Sequence, residues 1–171
     1  MKKIFNKIAL ILMVVFLFSI TANAKNNKLP SVIVKNLEYK QVNTKTFSNK
    51  GKPFIILFWA TWCKPCIHEL KAINDVYDDW KDETGVKIYA ISVDDTRNSK
   101  KVAPFIRGRG WDFDVYLDEN SDFKRAMNVN APPHSFLFDG HGNLVWQHTG
   151  YAEGDEDTMY DHLIKLVKKK K

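Results

Sequence analysis

The sequence predicts an α/β fold in which a mixed central β-sheet is covered by helices on both faces. Residues 54–59 are uninterruptedly apolar, which is typical of a strand buried on both faces, and residues 64–81 continue with helical spacing. A second, mostly apolar strand is expected at residues 86–93. Residues 139–142 contain two glycines between two apolar segments, a strong β-hairpin signal. A strand–helix–strand unit followed by a hairpin gives a sheet with parallel and antiparallel neighbours.

Shorter patterns predict the remaining elements. Short strands of an N-terminal β extension are expected at residues 32–37 and 44–47, and another strand at residues 113–117. The hairpin strands are expected at residues 134–138 and 144–149. Three further helices are expected: one that Asn98 or Ser99 caps and Pro104 kinks, one at residues 121–127, and a final one capped near Asp157 or Thr158.

The N-terminus has the pattern of a bacterial export signal. Three lysines precede the apolar residues 8–20, and alanines at positions 22 and 24 form a small-x-small cleavage pattern. The apolar run is short for a spanning helix, which needs about 20 residues, so we expect cleavage after Ala24. An uncleaved membrane anchor is the alternative. The expected location is the periplasm or the extracytoplasmic side of a bacterial envelope.

This interpretation divides the chain into four parts. Residues 1–24 are the signal peptide, residues 25–30 a linker, residues 31–168 a single domain, and residues 169–171 a basic tail. Cleavage leaves 147 residues, enough for one domain with a hydrophobic core. The formal net charge of +6 falls to +3 without the signal lysines and to −1 without the four C-terminal lysines. The positive charge is therefore terminal, and we expect no nucleic acid partner.

The chain has only two cysteines, Cys63 and Cys66, and they form a C-x-x-C motif between the apolar run and the helix. Residues three apart on the first turn of a helix lie on one face, close enough for their sulfurs to bond. The free N–H groups and the dipole of that turn stabilise a thiolate. We therefore expect Cys63 to be the nucleophile, with a lowered pKa and a solvent-facing sulfur, and Cys66 to be the resolving thiol of a redox disulfide. Pro65 is compatible with this position: it lacks an N–H, but the N–H groups of the first helical turn have no acceptor within the helix.

Two other interpretations of the cysteine pair compete with redox chemistry. A structural disulfide over so short a loop would stabilise the fold little. A zinc site would need two more ligands, yet the chain has no third cysteine, and His68 lies on a different face of the helix. We expect neither a metal nor a cofactor.

Two segments carry a resemblance to a known family. Residues 58–66 are Phe-Trp-Ala-Thr-Trp-Cys-Lys-Pro-Cys, followed by Glu69, and residues 131–139 are Ala-Pro-Pro-His-Ser-Phe-Leu-Phe-Asp. Both resemble the thioredoxin-fold proteins, and more narrowly the exported TlpA/ResA type of thiol–disulfide oxidoreductase. The resemblance covers roughly residues 31–167. It implies a thioredoxin-like, three-layer domain with a short N-terminal β extension.

The resemblance also identifies an expected substrate-binding surface. In this family the second segment holds a cis-proline beside the disulfide, and by that match it is Pro133. The residue before it presents backbone groups to the substrate chain; here it is Pro132, which has no N–H and offers only its carbonyl. From the residues alone, a trans Pro-Pro turn is the alternative. Trp62 and Pro65, beside the cysteines, complete the expected surface.

Proton handling departs from the pattern of cytoplasmic thioredoxins, which carry a buried aspartate where this chain has Leu57. Glu69, three residues after Cys66, matches an acidic position of the exported type. We expect it to handle protons at the cysteines, either as a proton acceptor or as a brake on thiolate formation, since a nearby carboxylate raises the pKa of a thiol; a solvated helix carboxylate is the alternative. Of the other residues near the motifs, we expect Trp59 in the core and His134 at the surface.

The sequence thus predicts an exported dithiol–disulfide oxidoreductase. By the resemblance, its substrates are envelope proteins that contain disulfides, for example apocytochromes whose haem-binding cysteines are oxidised. A membrane thiol transporter is the implied source of its electrons. We expect a monomer that contacts the membrane only if its signal segment is retained. One alternative is a disulfide-donating oxidase of the same fold. Another is a non-catalytic binding or metal-carrier module, although such carriers usually have three residues between their cysteines. The peroxide-reducing branch of the fold has Thr or Ser where this chain has Ala60.

Overall fold

The computed structural model of the protein describes residues 27–169, so the expected signal peptide lies outside the described residues. The strands of this part are β1 (Ile33–Asn36), β2 (Gln41–Asn43), β3 (Phe54–Trp59), β4 (Lys87–Ser92), β5 (Asp114–Leu117), β6 (His134–Phe138) and β7 (Leu144–Thr149). Its α-helices are α1 (Lys64–Thr84), α2 (Val102–Arg107), α3 (Asp122–Ala126) and α4 (Asp155–Lys168). None of these helices combines the length and the apolar character needed to cross a membrane.

The seven strands described form one mixed sheet in the order β2-β1-β5-β4-β3-β6-β7. β3, β4 and β5 run parallel, whereas every other pair of neighbours is antiparallel. β3 lies well inside the sheet, and all six of its residues are buried, which explains its continuous apolar sequence. The predicted α/β fold with a mixed central sheet is confirmed.

Helices cover both faces of this sheet. Phe58 points to the face that α3 covers, where its ring packs against Phe123 with centroids 5.2 Å apart. The neighbouring Leu57 points to the opposite face, where α1 and α4 pack together. The C-cap of α1 is Gly85, which follows Thr84 in a left-handed conformation (φ 64°) and donates its N–H to the carbonyl of Lys81. Packing on the sheet thus fixes the position of α1 relative to β3. The cysteines lie where β3 passes into α1.

Three sequence-based expectations need correction. Residues Thr44–Thr46 form a 3₁₀ turn rather than a strand, because the side chain of Asn43 caps it by accepting the N–H of Lys45. α4 begins at Asp155, earlier than predicted, because Gly154 supplies the positive φ (96°) that precedes the helix. α2 begins at Val102, later than the predicted cap at Asn98 or Ser99, because residues Ser99–Lys101 form a 3₁₀ turn, and the Asn98 side chain makes no cap hydrogen bond.

Candidate active site

The two cysteines lie where β3 passes into α1. The N–H of Cys63 donates to the carbonyl of Ala60 (3.1 Å), which closes the turn between strand and helix. Cys63 is the N-cap of α1, and its Sγ accepts the N–H of Cys66 at 3.3 Å. The two sulfurs form a disulfide whose Cα atoms are 5.3 Å apart. Pro65 lies in the first helical turn, as expected.

The two cysteines differ slightly in how completely they are buried. The side chain of Cys66 is completely buried, whereas Cys63 keeps 5 % of its surface exposed. The expectation of a solvent-facing residue at position 63 is therefore wrong, because Cys63 is buried, although it is less completely covered than Cys66. Beside it Trp62 is 61 % exposed, which gives an apolar surface next to this sulfur.

The peptide bond between Pro132 and Pro133 is cis, as the resemblance implies. Pro133 is buried and immediately precedes β6, in which His134 pairs with Phe58. This register places Pro133 at the same edge of the sheet from which β3 leads to the cysteines. The carbonyl of Pro133 accepts the N–H of Gly150 (2.9 Å), whereas we find no donor to the Pro132 carbonyl among residues 27–169. Pro132 therefore offers a free acceptor, the one backbone group that it can present to a substrate.

Glu69 is buried on α1, one turn after Cys66, with 2 % of its surface exposed. Its Oε1 accepts the hydroxyl of Ser135 (2.5 Å), and its Oε2 is buried without a hydrogen-bond partner among the described residues. Burial raises the pKa of the Glu69 carboxyl to about 7, and the negative charges of Asp155 and Glu156 act in the same direction against the Ser135 hydrogen bond. The alternative of a solvated carboxylate is therefore wrong.

Glu69 lies close to the position at which cytoplasmic thioredoxins carry a buried aspartate and this chain has Leu57. Leu57 of β3 pairs in register with Ser135 of β6, and Ser135 holds Glu69. The buried carboxyl group near the cysteines is thus supplied by the helix, since β3 carries an apolar side chain at the corresponding place.

Comparisons with known proteins agree with this geometry. The model of the AhpC/TSA family matches residues 25–147. The thiol–disulfide oxidoreductase ResA of Bacillus anthracis is 36% identical over 138 residues, covering 81% of this chain and 76% of ResA. This chain belongs to the AhpC/TSA family, as a ResA-like thiol–disulfide oxidoreductase.

Two solved structures share the fold of this chain. A thioredoxin-like protein from Porphyromonas gingivalis is 53% identical with a TM-score of 0.74, covering 82% of this chain and 92% of that protein. A thiol:disulfide interchange protein, DsbE, from Chlorobium tepidum superposes with a TM-score of 0.71 at 23% identity, covering 82% and 96% of the two chains. The second likeness shows the fold alone.

Two residues of this ResA-like site were not anticipated from the sequence. Ser135 is a single hydroxyl within the otherwise buried β6, and a polar residue at such a position is a signal that it has a buried partner. Asp94 lies two residues after β4 ends at Ser92, at the same sheet edge as the cysteines, and it is fully buried. Its carboxylate accepts hydrogen bonds from Thr61, in the turn before Cys63.

Trp59 and His134 complete the comparison with the sequence. Trp59 is fully buried, as expected, and packs against the rings of Phe105 and Trp111. The expectation of a surface histidine is wrong, because His134 is only 8 % exposed and stacks on Phe136 with centroids 4.3 Å apart. Burial lowers the pKa of the His134 imidazole, since desolvation disfavours its charged form.

Proposed function

We propose that this oxidoreductase acts outside the cytoplasm and reduces disulfides in envelope proteins. The observation that carries the proposal is the asymmetry of the pair: the Sγ of Cys63 caps α1 beside the exposed Trp62, whereas Cys66 lies inside the helix and is fully buried. Such a pair divides the work into attack and resolution. The export pattern of residues 1–24 supports the location, and the resemblance to the exported TlpA/ResA type supports the reductive direction.

The reaction begins with Cys63 as a thiolate, which the N–H of Cys66 and the dipole of α1 stabilise. The thiolate attacks one sulfur of the substrate disulfide. The substrate S–S bond breaks, a bond from Cys63 to the substrate forms, and the other sulfur leaves as a thiolate that takes a proton from water. Cys66 then attacks the Sγ of Cys63 and releases the second substrate sulfur. Two electrons pass to the substrate, and the pair returns to its disulfide form.

Cys66 must lose its proton before the second attack, and we assign Glu69 as the acceptor. Glu69 lies one turn along α1 on the same buried face. Ser135 occupies one carboxylate oxygen, and the other has no partner among the described residues. A carboxyl group with a pKa of about 7 exchanges protons readily near neutral pH, which suits a general base.

The surface beside Cys63 fits an extended substrate segment. Trp62 supplies exposed apolar area, and the free carbonyl of Pro132 can accept one hydrogen bond from the backbone of that segment. Regeneration requires a dithiol donor that reverses the exchange, and we assign this role to a membrane thiol transporter. The reaction as proposed needs one copy of the chain.

The reduction potential of the Cys63–Cys66 pair tests the direction. We would equilibrate the protein in dithiothreitol buffers and measure the oxidised fraction by thiol alkylation and mass spectrometry. A reductant should show a potential near that of thioredoxin, about −270 mV, or below it. A potential near about −120 mV, typical of strong disulfide donors, would overturn the reductive direction and favour the oxidase.

Trapping tests the substrates and the division of roles. Cys66→Ser should accumulate mixed disulfides between Cys63 and envelope proteins, because attack proceeds and resolution does not. Cys63→Ser and the double variant are the matched controls and should trap nothing. Equal trapping by the two single variants would contradict the assigned roles, and targets confined to the cytoplasm would contradict the location.

A further inference from the structure

Asp94 forms hydrogen bonds at the active-site turn that the proposed reaction does not use. Its Oδ1 accepts the hydroxyl of Thr61 (2.6 Å), and its Oδ2 accepts the N–H of Thr61 (2.9 Å) and the hydroxyl of Ser92 (2.8 Å). The side chain has no exposed surface. Within residues 27–169 no lysine, arginine or histidine forms an ion pair with it.

A carboxylate is costly to bury without a cation, and hydrogen bonds must compensate for the water that it loses. Two of the three hydrogen bonds come from Thr61, which lies in the turn between β3 and Cys63. The adjacent backbone reinforces this connection, because the N–H of Val93 donates to the carbonyl of Trp59 (2.9 Å). Val93 and Asp94, the two residues that follow β4, therefore hold the turn that carries the nucleophile.

The turn depends most on the hydrogen bonds between Thr61 and Asp94 when the disulfide is reduced. In the oxidised protein the Cys63–Cys66 bond itself ties the turn to α1. In the dithiol form that bond is gone, and the turn is fixed by the Cys63 N–H to Ala60 hydrogen bond and by the two hydrogen bonds from Thr61 to Asp94. If Thr61 were released, the Cys63 sulfur could move away from the Cys66 N–H that stabilises its thiolate.

We propose that Asp94 is the positioning residue of Cys63: by accepting the hydrogen bonds of Thr61 just after β4, it keeps the nucleophilic sulfur at the N-terminus of α1 in the reduced enzyme. Asp94 acts through Thr61 and touches no reacting atom. The inference rests on Cys63 being the attacking thiol, and it is independent of the direction of electron flow and of the substrate. A reduction potential typical of an oxidase would leave it standing.

Substitution of Thr61 tests the proposal while the charge of Asp94 is kept. Thr61→Val removes the hydroxyl donor with little change of shape, so the pKa of the Cys63 thiol should rise by about half a unit. Alkylation of Cys63 by iodoacetamide at pH 7 should slow about threefold in the reduced protein, because less thiolate is present. Thr61→Ser retains both donors and should restore the wild-type pKa and rate.

Ser92→Ala is the matched control, because it removes a donor to the same carboxylate from outside the turn. It should lower the melting temperature and leave the Cys63 pKa unchanged. Wild-type thiol titration in a folded Thr61→Val variant would overturn the proposal. An equal pKa shift in Ser92→Ala would also overturn it, since Asp94 would then be merely structural.

A measurement on the wild-type protein covers the case in which Thr61→Val does not fold. Amide hydrogen exchange of the reduced protein should show the N–H of Thr61 protected by its hydrogen bond to Asp94. The N–H of Trp62, for which we find no acceptor among the described residues, should exchange quickly. Comparably fast exchange at both amides would overturn the proposal, because the hold on the turn would then be absent in the dithiol form.

Discussion

Glu69 gives the protein a pH dependence of stability that can be measured apart from its redox chemistry. Its carboxyl is buried, with one oxygen bonded to Ser135 and the other without a partner among residues 27–169. Glu69→Gln removes the titration while keeping a carbonyl oxygen that can accept the Ser135 hydroxyl. The variant therefore changes how stability depends on pH, whatever its effect on absolute stability.

The sign follows from the raised pKa. In the unfolded chain Glu69 ionises near pH 4.5, and in the folded protein near pH 7, so between these values the folded state binds more protons. Stability from the protonated carboxyl is fully present below pH 4.5 and is lost as pH rises through about 7. The shift corresponds to about 3 kcal/mol of unfolding free energy, since one pKa unit is about 1.4 kcal/mol. Because the group is almost fully buried, solvent screening reduces this figure little.

The assay is urea unfolding of the oxidised protein at intervals from pH 4 to pH 8.5. Relative to Glu69→Gln, the wild-type protein should lose about 3 kcal/mol of unfolding free energy across this range. Taking the difference cancels the contribution of other groups, including His134. Asp82→Asn, at an exposed position of the same helix, is the control and should run parallel to the wild type. If the unfolding free energies of the wild type and Glu69→Gln changed with pH in the same way, a raised pKa at Glu69 would be refuted.

Three further predictions concern the thiols and their surroundings. In the reduced protein, iodoacetamide should label Cys63 before Cys66, with a Cys63 pKa below the ordinary value of about 8.5; preferential labelling of Cys66 would reverse the assigned roles. Glu69→Gln should lower the pKa of Cys63, because it removes a negative charge present above about pH 7, and an unchanged thiol titration would show that the carboxylate does not act on the sulfurs. Glu156→Gln should lower the pKa of Glu69, because the charge of Glu156 raises it; an unmoved carboxyl resonance in an NMR titration would contradict this.

The sheet and the cysteine motif were predictable because their signals are local. The apolar run of β3, the hairpin turn and the C-x-x-C spacing each lie within a few residues and need no knowledge of distant partners. The predictions of secondary structure were wrong where a second local interaction opposed the pattern that was used. The turn at Thr44–Thr46 has β-favouring threonines, but the cap from Asn43 decides its structure. The start of α4 depends on the conformation of Gly154, ahead of the polar residues proposed as caps.

The environment of Glu69 was predictable in part. The residue lies on the same helical stripe as Cys66, Ile73 and Tyr77, all of which are buried, so its spacing favours the inner face. Its partner Ser135 is 66 residues further along the chain, and only the pairing of β6 with β3 brings the two together. The free Oε2 follows from that three-dimensional arrangement and has no local sequence signal.

Asp94 and Glu69, the two buried carboxylates near the cysteines, differ in how many hydrogen-bond donors surround them. Both oxygens of Asp94 accept hydrogen bonds, from three donors in all, whereas within residues 27–169 Glu69 has one donor and one oxygen without a partner. A carboxylate surrounded by donors fixes geometry, and one with a free oxygen can take up a proton. Asp94 acts on the turn before Cys63, and Glu69 lies beyond Cys66. We therefore expect Thr61→Val to slow the first attack and Glu69→Gln to slow resolution, with independent effects in the double variant; rapid-quench measurement of the mixed disulfide would separate the two steps.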